Sequence, residues 1–230
     1  MDLNSFIIYL HELRNQCLFT QASLHVFNQS LQQNAGMATL SSAQAALTSA
    51  SQVASILWPP RARARRRGEV LREKLGLPDN HAMADRRFVE LWERADEKLD
   101  DWVKQTKNQR VLFDFVGSPK QVQIPDLREE GVYRMYDTDN KIFVFRGIGY
   151  NLANLAKAIE EIGRRADTVH TQIMNAVQQQ RDAQTEQAGQ GAQAAPAGDA
   201  PPEGTTEDVA PAENAGAADI PSPVAEEEKP

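Results

Sequence analysis

One cysteine, Cys17, is all that this chain of 230 residues offers, so an intramolecular disulfide is excluded and a reducing compartment, the cytoplasm, is the expected location. Histidine is nearly as scarce. His11, His25, His81 and His170 have no second ligand at a zinc spacing and no carboxylate at a triad spacing, which leaves neither a metal site nor a cofactor to expect. A nucleophile elbow, a P-loop and a His-Glu-x-x-His helix are all missing, so the reading leans away from an enzyme. No basic stretch precedes an apolar core at the N-terminus, where Arg14 follows the apolar residues, and no secretory signal is expected. Charge is absent altogether between Arg14 and Arg61. A membrane span would need about twenty mostly apolar residues, whereas Thr39, Ser41, Gln44, Thr48 and Gln52 interrupt this stretch; a helix pair buried inside a bundle is the expectation.

The net charge of −7 is unevenly placed. After residue 186 nine acids face one lysine, so everything before carries +1, and the acidic balance says nothing against an anionic partner for the folded part. That tail is Ala, Pro, Gly, Glu and Gln without an aromatic, too poor in apolar surface to offset the entropy of ordering. Residues 181–230 are therefore expected to be disordered. Their charge makes them candidates to screen a basic face.

Apolar periodicity predicts the fold. Phe6, Leu10, Leu13, Cys17, Thr20, Leu24, Phe27 and Leu31 step by fours and threes, the seam of a helix about 45 Å long over residues 4–33. Met37 to Trp58 follows as a second helix with an alanine-rich face, and the two make an αα-hairpin. Val70 to Leu75 forms a short helix ended by Gly76. Residues 81–107 read as one central helix, with Phe88, Trp92, Ala95, Leu99 and Trp102 along its core stripe. Val111–Val116 and Val122–Ile124 look extended, and Val132–Tyr136 with Lys141–Phe145 forms a β-hairpin. Its turn is no calcium loop, since lysine and isoleucines occupy the required ligand and glycine positions. Gly147-Ile148-Gly149 lacks the third glycine of a dinucleotide loop and reads as a strand exit, with Asn151 capping a last helix. That helix carries Leu152, Leu155, Ile159, Ile162, Ala166, Val169, Ile173 and Ala176 in heptad spacing, long enough to cross the bundle or to pair with a second copy in a homodimer; it is expected to fray near Gln180. The fold class is mainly α: a bundle of four to five helices over residues 1–180 with a small inserted β-hairpin at about 132–145, then the tail.

Arg61, Arg63, Arg65, Arg66 and Arg67 crowd into seven residues with only Glu69 and Glu73 near, enough charge to neutralise several phosphates. The plainer alternative is a solvated basic turn. No aromatic lies among them to stack a base, which argues against sequence reading. Arg86, Arg87 and Arg94 extend the candidate face along the 81–107 segment.

Arg67 with Leu71 to Leu75, then Asp85-Arg86, then Glu93 to Trp102, resemble the HEPN-type helical proteins of prokaryotes. The resemblance implies a small bundle associated with defence or toxin systems, whose active members are metal-independent ribonucleases using an arginine and a histidine brought together by dimerisation. Aligned on Asp96-Glu97, this chain has Val89 at the arginine position, Glu90 at the usual asparagine and Arg94 at the histidine. Arginine cannot serve as a general base and valine cannot hold a phosphate. The expectation is a non-catalytic helical binding or scaffold protein with an unknown protein partner or RNA on its arginine patch; the alternative is a ribonuclease or RNA-binding member of that group.

Overall fold

A computed structural model describes the backbone of residues 1–193 and the side chains of residues 1–184. The chain divides into two compact units, residues 1–184 and 185–230. The first is mainly α-helical, as its periodicity predicts, with a small sheet. The expected disordered tail lies, from residue 194 onward, outside the described residues.

Helix α1 (Leu3–Gln32) starts on Asp2, whose carboxylate accepts hydrogen bonds from the Ser5 amide (2.9 Å) and hydroxyl (2.7 Å). Its seam is the predicted one, from Phe6 to Phe27, all buried. Helix α2 (Gly36–Leu57) packs antiparallel beside it, with Ala43, Ala46, Leu47, Ala50, Val53, Ala54 and Leu57 fully buried. A helix this rich in serine and threonine can enter a core because its hydroxyls turn back on their own backbone. Thr39 bonds the Ala35 carbonyl, Ser42 that of Ala38 and Thr48 that of Gln44, so little polar capacity is left unmet. No helix among the described residues is long and apolar enough to cross a membrane.

Helix α3 (Arg65–Leu75) ends at Gly76, which takes the left-handed conformation (φ 62°), with the Leu77 amide bonding back to Arg72 at 2.9 Å. The structure corrects the next element. Residues 81–107 are not one helix: a 3₁₀ turn at Ala82–Ala84 leads into α4 (Arg86–Val89), turns follow through residue 94, and α5 (Ala95–Gln105) begins at Arg94 in a left-handed conformation. The cause is the sheet. A straight helix would lay Phe88, Trp92 and Trp102 on one stripe, but the break sends Phe88 to Tyr150 (5.5 Å between centroids), Trp92 to Phe145 (5.6 Å) and Trp102 to Tyr133 (5.0 Å). Leu99, expected in the stripe, is exposed. The central helix is instead α2, which touches α1, α3, α4 and two strands.

The sheet has four strands in the order β1 (Leu112–Gly117), β2 (Val132–Asp137), β3 (Ile142–Phe145), β4 (Ile148–Asn151). The β2–β3 hairpin is the predicted one, pairing Asp137 with Ile142 and Arg134 with Phe145. Two strands flank it. β1 runs parallel to β2, reached by a crossover without a strand, so Val122–Ile124 is a loop. β4 pairs with β3 through a two-residue turn at Arg146 and Gly147, both with positive φ (50° and 73°), so the glycine pair read as a strand exit is a tight hairpin. At the β2–β3 turn the Asp137 carboxylate takes hydrogen bonds from the Asp139 and Asn140 amides and the Asn140 side chain.

Asn151 caps α6 (Leu152–Gln193) by accepting from the Asn154 amide at 2.9 Å. Its heptad seam from Leu152 to Ala166 is buried within its own fold, and the helix continues past Gln180. It runs antiparallel to α1, where Arg14 meets Asp167 at 2.6 Å and Gly163 faces Cys17.

Two glycines in helices predict opposite outcomes. A Cβ at Gly68 would stand 2.5 Å from Pro59 Cδ and 2.6 Å from the Leu57 carbonyl, so Gly68→Ala should lower stability by about 2 kcal/mol despite its better helix propensity. A Cβ at Gly163 would meet Cys17 at an ordinary 3.5 Å, and Gly163→Ala should raise stability by about 0.5 to 1 kcal/mol. Urea unfolding of both variants checks the pair; a neutral Gly68→Ala would contradict the close approach of α3 to the end of α2.

Candidate anion-binding site

The site is built where α2 stops. Pro59 and Pro60 have no amide to continue the helix, so its last carbonyls need donors from elsewhere. Two arginines of α3 provide them. Arg67 Nη2 donates to the Ser55 carbonyl at 3.1 Å and lies toward that of Ile56 at 3.5 Å, its guanidinium 5.1 Å from the Tyr9 ring centroid. Arg72 Nη1 donates to the Leu57 carbonyl, while its Nε and Nη2 hold Asp79 at 3.0 and 2.8 Å and its guanidinium lies over Trp58. A positive charge at a helix C-terminus also complements the negative end of the helix dipole.

Arg67 therefore leaves the solvated patch and becomes a structural cap. Arg61, Arg63, Arg65 and Arg66 remain exposed on the loop and the first turn of α3. Arg61 sits 3.8 Å from Glu93 and Arg66 3.5 Å from Glu69, both loose pairs in water, and Arg63 and Arg65 have no acidic partner among the described residues. The loop borders an open recess of about 370 Å³ whose walls include Ser51, Arg61, Arg63, Arg67, Trp92 and Glu93.

The other three predicted arginines lie apart from this recess. Arg86 pairs with Glu90 at 2.5 Å, Arg94 with Glu97 at 2.5 Å, and Arg87 with Asp85 at 2.7 Å, where the hydrogen bond from Arg87 holds the carboxyl below its ordinary value. Each is neutralised by a neighbour. Arg86 and Arg87 rim a second cavity of about 380 Å³ together with Lys98, Arg146, Trp102 and Tyr150. Trp92, Glu93 and Arg146 escaped the sequence reading. The indole was assigned wholly to the core, and Arg146 stands alone on a turn that strand pairing alone brings to α5, where it donates to the Ala95 carbonyl at 3.2 Å.

Cys17 and His81 are taken up in the fold, whereas His11 and His25 are exposed. Burial pushes the Cys17 thiol up to about 12, and the Asp167 carboxylate adds to the rise, so it is protonated at neutral pH. His81 Nδ1 accepts from the Met83 amide at 3.2 Å, which places the imidazole proton on Nε2, 3.7 Å from Glu161, while the ring stacks on Trp58. No group of three His, Cys, Asp or Glu among the described residues could hold a metal ion. No family model, curated protein or solved structure matches the chain.

The caps and the free arginines separate by stability. Arg67→Gln and Arg72→Gln should each cost about 1 to 3 kcal/mol, because buried carbonyls lose charged donors, whereas Arg63→Gln and Arg65→Gln should stay within about 0.5 kcal/mol. Chemical unfolding of the four variants decides this, and equal effects would contradict the division.

His81 makes stability depend on pH. Desolvation lowers its pKa and Arg165 adds to this, against the opposing pull of Glu161, so the folded state favours the neutral ring. Glu161, held below its usual value chiefly by the hydrogen bond from Arg165, stays ionised across the window. The unfolded chain then binds the extra proton first. The contribution is present in full above the unfolded value of about 6.5 and is lost as pH falls through the lower folded value. His81→Asn keeps a cap acceptor and should flatten the fall in unfolding midpoint between neutral and mildly acidic pH; an unaltered slope would assign it elsewhere.

Proposed function

We propose that this protein is a non-catalytic helical binding protein whose exposed arginines, Arg61, Arg63, Arg65 and Arg66, take up the phosphate backbone of single-stranded RNA. The resemblance to HEPN-type bundles fits this proposal as that of a relative lacking the arginine–histidine pair. One observation carries the reading: four guanidinium groups stand exposed within six residues, two without an acidic partner and two only loosely paired. Such a group gains affinity by releasing counterions from phosphate, a mechanism that needs neither base contacts nor a rigid partner. Arginine holds phosphate bidentately and keeps its charge at any physiological pH. Trp92 is the one aromatic residue in the recess walls and its ring is paired with Phe145, and no aromatic lies within the arginine run itself, in keeping with binding that ignores sequence.

Anisotropy of a labelled single-stranded RNA over a salt series tests this. Affinity should fall steeply with salt, and replacing all four arginines with glutamine should reduce the slope of log K against log salt by about 3, with the strand recovered intact. An unchanged slope in the quadruple variant would place binding elsewhere. Strand cleavage without metal that is lost in Arg94→Ala would restore the ribonuclease reading.

A further inference from the structure

Helix α1 carries a second stripe on the side opposite its buried seam. Residues 8, 12, 15, 19, 22 and 26 step by fours and threes, which holds them within about 80° of the helix surface. The large apolar members are open to water: Ile8 is 67% exposed, Phe19 53% and Val26 47%, with Leu18 beside them at 57%. Ala22 is exposed as well, and Asn15 is half-buried. Single exposed apolar side chains are ordinary. An aromatic and two β-branched residues aligned along about 27 Å of one helix, covered by nothing among the described residues, form a contiguous apolar surface that calls for a partner.

The composition and spacing of the stripe indicate which partner. No charged residue occurs between Arg14 and Arg61, so from residue 15 onward this side of α1 carries none, although a quarter of the whole chain is charged. A face of one sign of charge selects a partner of the other sign. A charge-free face is compatible with itself, and charge depletion around an exposed aromatic is the composition of an interface core. The stripe is also symmetric, since its spacings read the same in both directions about residue 17. A two-fold axis there lays Ile8 of one copy against Val26 of the other, Asn15 against Phe19, and Glu12, the one acid of the stripe, against Ala22. The two Glu12 carboxylates then stand about 15 Å apart along the helices, beyond effective repulsion at physiological salt. A parallel pair would set Glu12 directly against Glu12.

We infer that α1 packs antiparallel on α1 of a second copy of this chain, forming a two-fold dimer through the stripe from Ile8 to Val26. This differs from pairing through the α6 heptads, whose seam to Ala166 is buried within one chain. It does not depend on the arginine face. Sedimentation equilibrium of the full chain at micromolar concentrations, which reads mass independently of shape, should give twice the mass of one chain. Phe19→Glu should raise the dissociation constant about thirtyfold or more, and because the ring lies on the surface the variant should keep the circular dichroism of the parent. Ala22→Lys brings an ammonium group to Glu12 of the other copy and should tighten the dimer about threefold, while Ala22→Glu should loosen it. Should Phe19→Glu lose its circular dichroism, the opposite responses of the two Ala22 variants decide alone. A monomer throughout the range overturns the dimer and leaves the stripe to a different partner. A dimer untouched by a folded Phe19→Glu overturns its location, and loosening by both Ala22 variants overturns the antiparallel arrangement.

Discussion

The termination of α2 is the constraint on which the rest of the arrangement depends. The helix runs through the middle of the fold and stops against two prolines, so the carbonyls of Ser55, Ile56 and Leu57 face the interior without backbone donors to meet them. Arg67 and Arg72 meet them instead, and they reach only because α3 lies almost in contact with the end of α2. That contact is possible because residue 68 has no side chain to strike Pro59. One packing requirement thus determines where α3 lies, why two of its arginines are withdrawn from solvent, and why the remaining arginines project from a loop bordering a recess. The basic face is what remains of the arginine run after the helix end has been satisfied.

A second constraint comes from the aromatic side chains. The sheet is small and cannot close a core alone, so it takes its cover from the 81–107 segment, one ring at a time. Three ring pairs spread across β2, β3 and β4 cannot all be met by one straight stripe, and the segment breaks to serve them. The break is stabilised where it occurs. The Glu90 carbonyl, which in a continuous helix would accept from the Arg94 amide, accepts instead from the Glu93 amide and the Lys98 ammonium group, while Arg94 moves to a left-handed conformation.

These two constraints explain what could be read from the sequence. Helices α1, α2 and α6 were legible because each meets its neighbours along one continuous face, and such a face leaves an unbroken three-and-four spacing. The β2–β3 hairpin was legible because its pairing is local. β1 was recognisable as extended, but not its parallel pairing, which depends on a crossover with no periodicity of its own. The broken segment was misread for an instructive reason: its spacing is helical, and helical spacing alone cannot reveal that the rings find partners on three different strands. In the candidate site the crowding of arginines was visible from composition. Their division was not, since Arg67 and Arg65 differ only in which way α3 turns them.

Trp92 shows the limit most clearly. By sequence an indole in a stripe of core positions is core, and its ring does pack on Phe145. The indole also has a polar edge, and packing the ring leaves the N–H needing a partner of its own. Because Trp92 lies within the break, it stands beside the arginine loop, with its N–H buried and unpaired. An unbroken helix would have held residues 90–94 on the helical path, and Glu93 would not have been turned toward Arg61 in the same way. The demand of the sheet for aromatic cover and the demand of α2 for carbonyl donors therefore meet at one recess, whose walls come from separate elements placed there for separate structural reasons.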